Sequence, residues 1–283
     1  MRHAVSFVTV LVVGTASLGT CATSAETGGG AEGPPRARLA AASAEPASAN
    51  PPPTEEAVTL SVEAPPPSPS GSPCVDGMVL VGGEYCTDVR EECAEWEDPP
   101  SNKLARCARF APSVCTGERV HKRFCIDRDE YVPPGETLPL GGASWTQARE
   151  ICEMQRKRLC LETEWEFACE GEQMLPYPTG YERDSTVCNF DKGDLVDPAS
   201  GKLRDQREPP SKLERCASPF GVRNMTGNVD EWVLRDRTWG EWRSALKGGW
   251  WMAGRDRCRP ATTAHGEHYR ELQTGVRCCA DAM

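Results

Sequence analysis

Histidine and clusters of positive charge are scarce in this sequence. Only 4 of its 283 residues are His, and its 32 Lys and Arg are scattered along the chain against 42 Asp and Glu. The net charge of −10 disfavours a nucleic-acid-binding surface. Beyond the N-terminus there is no apolar run of about 18 residues, the length that a membrane-spanning helix needs. We therefore expect no nucleic-acid partner and, after processing, no transmembrane helix.

The first 73 residues differ in composition from the rest. Residues 1–25 combine a basic start, an apolar run and a small-residue end, as in a secretory signal peptide. Cys21 follows Leu-Gly-Thr, which approaches the cleavage and acylation site of bacterial lipoproteins, so both simple cleavage and a lipid anchor at Cys21 remain open. Residues 26–73 are rich in Ala, Pro, Ser and Gly, which predicts a disordered linker. We expect an exported protein, periplasmic or secreted, or a membrane-anchored lipoprotein.

Cysteine is abundant. The chain has 15, and setting Cys21 aside leaves an even number, which in an exported protein predicts disulfides. A cysteine zinc site is the alternative, but there is no CxxC motif, and the adjacent Cys278 and Cys279 cannot form a zinc cage by themselves. Each bridge would stabilise a loop-rich domain by about 2–4 kcal/mol.

Regular elements predicted from the pattern are short. Apolar runs predict strands, and two capped amphipathic stretches predict helices, one starting after Ser144 and one capped by Thr163 with Glu166 as its capping-box partner. The predicted strands span 77–83, 124–127, 228–234, 244–247 and 275–278. Residues 86–125 form a polar, cysteine-rich insertion. The whole predicts one disulfide-rich α+β domain over 74–283, with little regular secondary structure and a small antiparallel sheet.

The loop from Asn224 to Trp232 reads Asn-Met-Thr-Gly-Asn-Val-Asp-Glu-Trp. Its amides, its carboxylates and its backbone carbonyls offer the oxygen ligands that calcium prefers. The alternative is a tight turn entering a strand, in which Asn and Gly adopt left-handed backbone angles. On spacing alone the turn is favoured, because the loop lacks the repeated acids of an EF-hand.

Six blocks together resemble the sulfatase-modifying factor domain, the family of the formylglycine-generating enzyme, whose fold is like that of C-type lectins. The resemblance runs from Met78 to Asp281, in the family's order. Its blocks are Met78–Gly83, Ala143–Ala148, Lys157–Ala168, Met225–Trp232, Leu246–Trp250 and Gly275–Cys278. It implies a formylglycine-generating-enzyme or C-type-lectin-like fold for the globular part.

The resemblance also implies metal ligands, and it favours calcium over the simple turn. In the family the Met225–Trp232 block forms a calcium site, whose ligands here would be the side chains of Asn224 and Glu231 and the carbonyls of Gly227 and Val229. A second calcium site in the family resembles Asn189 and Phe190 followed by an acid, for which Asp205 is the candidate. We therefore expect calcium as a structural cofactor.

The family's enzyme ties its last strand to its early helices with two disulfides. The matching cysteines imply the pairs Cys152 with Cys278 and Cys169 with Cys258. Cys160 and Cys279 fall close to the same layer and are expected to pair, as are Cys188 and Cys216. The pairing of the six cysteines between Cys74 and Cys125 stays open.

The family's copper site is missing from this sequence. The formylglycine-generating enzyme holds Cu(I) with two cysteine thiolates, located between a Gly-Gly pair and the cysteine that Cys258 resembles. Here that interval, 250–257, is shorter and contains no cysteine. The serine that follows Gly-Gly in the family is Trp250. The fold alone therefore does not assign the family's reaction.

Two functions from different classes remain. The first is a calcium-stabilised binding domain for an envelope protein, a peptide or a glycan, with aromatic residues lining its cleft. The second is a non-haem iron or copper oxidoreductase using His265, Glu267 and His268, although we expect neither iron nor copper. The cleft candidates are Trp239, Trp242, Trp250, Trp251, Arg255 and Arg257. We favour the binding domain, because the thiolate pair is absent.

Overall fold

The structure is a computed structural model, and it describes residues 71–102, 105–237, 241–254 and 256–283. The predicted signal peptide, Cys21 and the linker up to residue 70 lie outside the described residues, as do Trp239 and Arg255. Neither α-helix in the described part is long and apolar enough to cross a bilayer.

The described chain contains twelve short strands, two α-helices and one 3₁₀ turn. They are β1 (Met78–Cys86), β2 (Val89–Arg90), β3 (Cys93–Trp96), β4 (Cys107–Phe110), β5 (Val114–Cys115), β6 (Arg119–Asp127), α1 (Trp145–Met154), β7 (Arg158–Leu159), α2 (Glu162–Glu170), the 3₁₀ turn (Pro210–Lys212), β8 (Asp230–Leu234), β9 (Ser244–Lys247), β10 (Ala261–Thr262), β11 (Thr274–Val276) and β12 (Cys278–Asp281). Long loops separate many of them, as the predicted α+β class with little regular structure requires.

Two four-stranded sheets form the centre of the domain. One has the order β1-β6-β12-β7 and is antiparallel throughout; the other has the order β10-β9-β8-β11. The expectation of one small antiparallel sheet was wrong, because there are two central sheets and β11 pairs parallel to β8. The strand predicted over 275–278 is also two strands, separated at Arg277. There the fully buried side chain turns inward to the carbonyls of Asp127, Arg128 and Arg223.

The two helices differ in how well their starts were predicted. Helix α1 is capped by Ser144 in a capping box with Gln147. Helix α2 instead begins after Leu161, whose N–H donates to the Glu164 carboxylate at 2.9 Å. Glu166, predicted as a capping partner, is fully buried and accepts a 2.9 Å hydrogen bond from the ammonium group of Lys247. Its tertiary ion pair outweighs the local capping role.

The core lies between the helices and the sheets. One cluster surrounds Trp165 and Phe167 of α2, and a second surrounds Trp145 of α1 and Trp232 of β8. The indole N–H of Trp145 donates to the carbonyl of Val233 at 2.9 Å, and that of Trp232 donates to the carbonyl of Ala143 at 2.7 Å. The large aromatics are thereby buried without leaving their donors unpaired.

Seven disulfides tie the described chain together. The structure pairs Cys152 with Cys278, Cys169 with Cys258, Cys160 with Cys279 and Cys188 with Cys216, which are the four pairs expected from the sequence. The three whose pairing was open are Cys74–Cys125, Cys86–Cys115 and Cys93–Cys107. All fourteen cysteines in the described part are therefore disulfide-bonded.

The cysteine-rich insertion is shorter than the predicted 86–125. Its strands form two small ladders, β2 with β5 and β3 with β4. The Cys93–Cys107 disulfide joins β3 to β4, and Cys86–Cys115 joins the end of β1 to β5. Residues 119–125 do not belong to it, because they lie in β6 and pair with β1 in the central sheet. We call the excursion from Thr87 to Glu118 the stapled insertion.

Candidate metal centre and ligand cleft

The loop before β8 has the backbone of a tight turn. Asn224, Gly227 and Asn228 all have positive φ, at 56°, 79° and 59°. A Cβ at Gly227 would lie 2.4 Å from the carbonyl oxygen of Asn189, so only glycine fits there. The N–H of Asn228 donates to that same carbonyl at 2.8 Å. The two segments expected to form separate calcium sites are thus neighbours.

The amide of Asn224 has an unpaired oxygen. The side chain is almost fully buried, and its Nδ2 donates to Oε2 of Glu130 at 3.3 Å. This contact points the nitrogen towards Glu130, and it leaves Oδ1 buried without a hydrogen-bond partner. An unpaired buried acceptor costs about 1–3 kcal/mol, which a bound cation would offset.

Asn189 shows the same pattern. Its Nδ2 donates to Oδ1 of Asn228 at 2.9 Å and to the carbonyl of Gln206 at 2.8 Å, while its own Oδ1 is buried without a partner. Both amide side chains singled out as calcium ligands therefore present an unpaired oxygen. The hydroxyl of Thr226, in the same loop as Asn224, is a third buried oxygen without a partner.

Glu231 is already engaged by protein donors. Its carboxylate accepts from the indole N–H of Trp165 at 2.7 Å and from Nε and Nη2 of Arg277, at 3.0 and 2.8 Å. A carboxylate has about four acceptor sites, and Nε of Arg277 also lies 3.2 Å from the second oxygen, so a metal at Glu231 would share the carboxylate with these donors. The Arg277 guanidinium is fully buried and pairs with Glu231, so this carboxylate does not present an uncompensated charge.

Glu130 is a buried acid that sequence reasoning missed. Its carboxylate accepts from Nδ2 of Asn224 and of Asn228 and from the N–H of Val229. Burial, followed by repulsion from Glu231, raises the pKa of Glu130 to about 8. Two buried acids therefore face one buried arginine, and when both are ionised the site carries surplus negative charge.

These residues fit a hard cation. Asn224 Oδ1, the carbonyls of Gly227 and Val229 and the Glu231 carboxylate would hold it, and all four donors are oxygens, as calcium prefers. In the part of the chain that the structure describes, no three His, Cys, Asp or Glu side chains come together as a metal site. Soft or imidazole-rich coordination therefore has no donor set there.

The second expected calcium site is less complete. Phe190 is buried and stacks on Tyr177, with 6.5 Å between the ring centroids. Asp205 is held by Arg207, with its Oδ2 2.6 Å from Nη2, and this pairing lowers the pKa of Asp205. The contact to Asn189 comes instead from the carbonyl of Gln206. The structure thus gives Asn189 an unpaired oxygen but ties the proposed acid to an arginine.

The histidine candidates are not arranged as an iron site. The imidazole of His265 stacks on Tyr269 with 3.7 Å between ring centroids. The Glu267 carboxylate pairs with Arg243 at 2.7 Å, which lowers its pKa. His265, Glu267 and His268 do not form a metal-binding group among the described residues, because they lie on a loop whose side chains have other neighbours.

A cleft is lined in part by Gly248 and Gly249. It has a volume of about 200 Å³, and we call it the Trp250 cleft. Its walls include Trp250, Met252, Pro260 and Thr262. Trp250 is half-buried there, whereas Trp251 is fully buried in an edge-on contact with it at 5.1 Å. Trp242 is 39% exposed and packs near Gly266, so it belongs to another surface.

A family model described as "Sulfatase-modifying factor enzyme 1-like domain" matches residues 108–282. Among curated proteins, the chain is 28% identical over 170 residues to the mouse protein "Inactive C-alpha-formylglycine-generating enzyme 2", covering 56% of this chain and 53% of that one. It is 35% identical over 95 residues to "Serine/threonine-protein kinase pkn1" of Chlamydia caviae, covering 33% of this chain and 13% of the kinase. The chain therefore spans about half of the first relative's length and a small part of the second.

The fold comparison agrees with the sequence match. The structure of CarF aligns with a TM-score of 0.51 at 16% identity, covering 73% of this chain and 98% of that one. This likeness concerns the fold alone. Together with the family model, which spans more than half of the sequence, it shows that the chain belongs to the sulfatase-modifying factor enzyme 1-like domain family.

Proposed function

We propose that this protein is an exported, calcium-stabilised binding domain that has the family fold without copper-thiolate catalysis. The observation that carries the proposal is the state of the cysteines. The fourteen in the described chain are all in disulfides, and Cys258, which follows the segment at 250–257, is bonded to Cys169. No described cysteine can supply the thiolate pair that Cu(I) needs. The mouse relative's printed name, which calls it inactive, is in keeping with this.

The Trp250 cleft supports binding of a peptide or glycan of the envelope. A half-exposed indole, a methionine and a proline give it an apolar wall, and Asp230 and Thr262 add polar groups. Small-ligand sites combine such walls with a few placed polar groups. In this proposal, the aromatic side chain of Trp250 stands in the sequence where the family has the serine that follows Gly-Gly, and it contributes to the wall of the cleft.

The structural role of calcium rests on the unpaired oxygens of Asn224 and Asn189. Calcium bound only by the folded chain would stabilise it by linkage. The disulfides support export, because such bridges persist in oxidising compartments.

The first test is metal content. The full chain, purified from its native compartment, is analysed by elemental mass spectrometry beside Asn224→Ala, with the exposed Asn102→Ala as the control. We expect calcium in the wild type and the control, and its loss in Asn224→Ala. Stoichiometric iron or copper would contradict the proposal and favour the oxidoreductase alternative at His265, Glu267 and His268.

The second test is activity. The protein is supplied with Cu(I), oxygen and a cysteine peptide carrying a sulfatase-type recognition sequence, and formylglycine is measured by peptide mass spectrometry. We expect no conversion of cysteine. Turnover above that of free Cu(I) would overturn the binding-domain proposal, because it would require a catalytic site that does not use a thiolate pair.

A further inference from the structure

The stapled insertion forms a pocket of its own beside the Trp250 cleft. The pocket has a volume of about 220 Å³, and we call it the insertion pocket. Its walls come from β3 and β4, from Tyr177 and Arg183, and from Gly254 and Arg257, and Gly254 also lines the Trp250 cleft. The two cavities therefore share one wall segment. Strand β3 and Glu91 precede residue 108, where the family match begins, so this part of the pocket lies outside that match.

Aromatic rings line the insertion pocket. Trp96 is 46% exposed on β3, while Phe110 and Tyr177 are buried, with their rings 5.9 Å apart. The hydroxyl of Tyr177 donates to the carbonyl of Cys107 at 2.8 Å, and the Cys93–Cys107 disulfide spans β3 and β4 at the same wall. The disulfide holds the hairpin of β3 and β4 in place, so the exposed indole of Trp96 offers a fixed surface on which the flat apolar face of a ligand can stack.

Glu91 adds an unpaired acceptor to this wall. Its side chain is only 9% exposed, and Oε2 lies 2.5 Å from Nη1 of Arg257. Oε1 is buried and has no hydrogen-bond partner. The guanidinium of Arg257 also lies over the ring of Phe110, at 4.9 Å. A ligand that donates a hydrogen bond here would supply the contact that the protein does not.

The charges around the pocket select against ionic ligands. Three guanidiniums line it, but Arg106 pairs with Asp98, Arg183 pairs with Asp191 and Asp256, and Arg257 pairs with Glu91. A phosphate or carboxylate would meet arginines that are already neutralised. A cation at Glu91 would lie against Arg257. A neutral ligand with several hydroxyl groups needs no free arginine to compensate its charge, and it is not repelled by Arg257.

We propose that the insertion pocket binds one neutral sugar ring, which stacks on Trp96 and donates a hydroxyl hydrogen bond to Glu91. The volume is below the range of about 300–1,000 Å³ that is usual for drug-sized ligands, so a single ring suits it. This site does not depend on calcium or on a ligand in the Trp250 cleft.

Saturation-transfer NMR on the full chain tests the proposal. The probes are glucose, galactose, mannose and N-acetylglucosamine, each at millimolar concentration, with inorganic phosphate as a competitor. We expect transfer to the ring protons of at least one sugar, with no displacement by phosphate. Loss of the aromatic contact in Trp96→Ala is expected to weaken binding by about tenfold, and Trp96→Phe is expected to restore part of it.

Matched variants separate this pocket from its neighbour. Glu91→Gln is expected to weaken binding of the same sugar. Trp250→Ala and Trp242→Ala, the latter at an exposed position, are expected to leave that binding unchanged. Circular dichroism checks that each variant folds. The proposal is overturned if none of the four sugars shows transfer, if phosphate displaces the sugar, or if Trp96→Ala has no effect. Loss of binding only in Trp250→Ala also overturns it, and leaves the proposed function of the Trp250 cleft intact.

Discussion

The loop at 224–232 and the segment at 250–257 lie in the same domain but relate differently to the family. The loop keeps the family's residue types, and its amide and acid side chains are buried and fixed by tertiary contacts. The segment lacks the family's cysteines and lines two cavities. The comparison teaches that one part of a family's fold can keep its residue types and buried contacts while another part, here the segment at 250–257, loses the residues of the family's copper site.

The largest effect is expected from Glu231→Ala in the loop. It leaves Arg277 buried without its partner and removes the acceptor for Trp165, which costs about 3–5 kcal/mol. For a domain of this size the melting temperature falls by about 6–20 °C, as measured by calorimetry. Glu118→Ala, at an exposed position, serves as control. An equal fall in the melting temperature of this control would contradict a specific stabilisation by the Glu231–Arg277 pair.

Matched glycine substitutions compare the two regions directly. Gly227→Ala places a Cβ 2.4 Å from the Asn189 carbonyl at a φ of +79°, with an expected loss of about 2–4 kcal/mol. Gly254→Ala, in the other segment, has only one atom, at 4.0 Å, near its Cβ, and we expect little change. Urea unfolding of both variants measures the difference. Equal free energies of unfolding for the two variants would mean that the backbone of the loop at 224–232 is no more constrained than that of the segment at 250–257.

Removing calcium should act on the loop alone. At a calcium concentration about 100 times its Kd, bound ion contributes about 2.7 kcal/mol, so EDTA should lower the melting temperature by about 5–10 °C. The Asn224→Ala protein should melt at the same temperature with and without EDTA. A wild-type melting curve that EDTA does not move would rule out the calcium assignment.

The smallest effect concerns the stapled insertion, which contacts the segment at 250–257 through the ion pair of Glu91 with Arg257. Hydrogen bonds from the Arg106 side chain and backbone lower the pKa of Asp98 to about 2, from 3.8. The folded state therefore favours the charged carboxylate, and the resulting stability is present above pH 3.8 and lost as the pH falls through 2. NMR titration of the Asp98 carboxyl carbon measures this pKa. Arg106→Leu should return it towards 3.8, and an unchanged titration would contradict the ion pair.

Local signals in the sequence predicted local structure. Ser144 and Gln147 cap α1 because both partners lie within one turn, and the apolar run at 244–247 is β9. The start of α2 was missed because Glu166, which fits a capping box by spacing, is bound by Lys247 from 81 residues away.

The tertiary contacts of the loop at 224–232 could not be predicted from the sequence for the same reason. Glu130 contacts Asn224 and Asn228 across 94 and 98 residues, and no spacing rule connects them. The family resemblance gave the ligand candidates, but it gave no sign that Arg277 binds Glu231. The insertion pocket was missed because its walls come from segments that meet only in the folded chain.

The adjacent cysteines of β12 have a consequence for the order of folding. Successive residues of a strand point to opposite faces, and Cys278 and Cys279 bond to partners 126 and 119 residues earlier in the chain. Neither bond can form until residues 278 and 279 have been synthesised. The same strand also completes the sheet between β6 and β7. These two bonds therefore form only after β12 has been made, and a truncation before residue 278 would leave Cys152 and Cys160 without their disulfide partners.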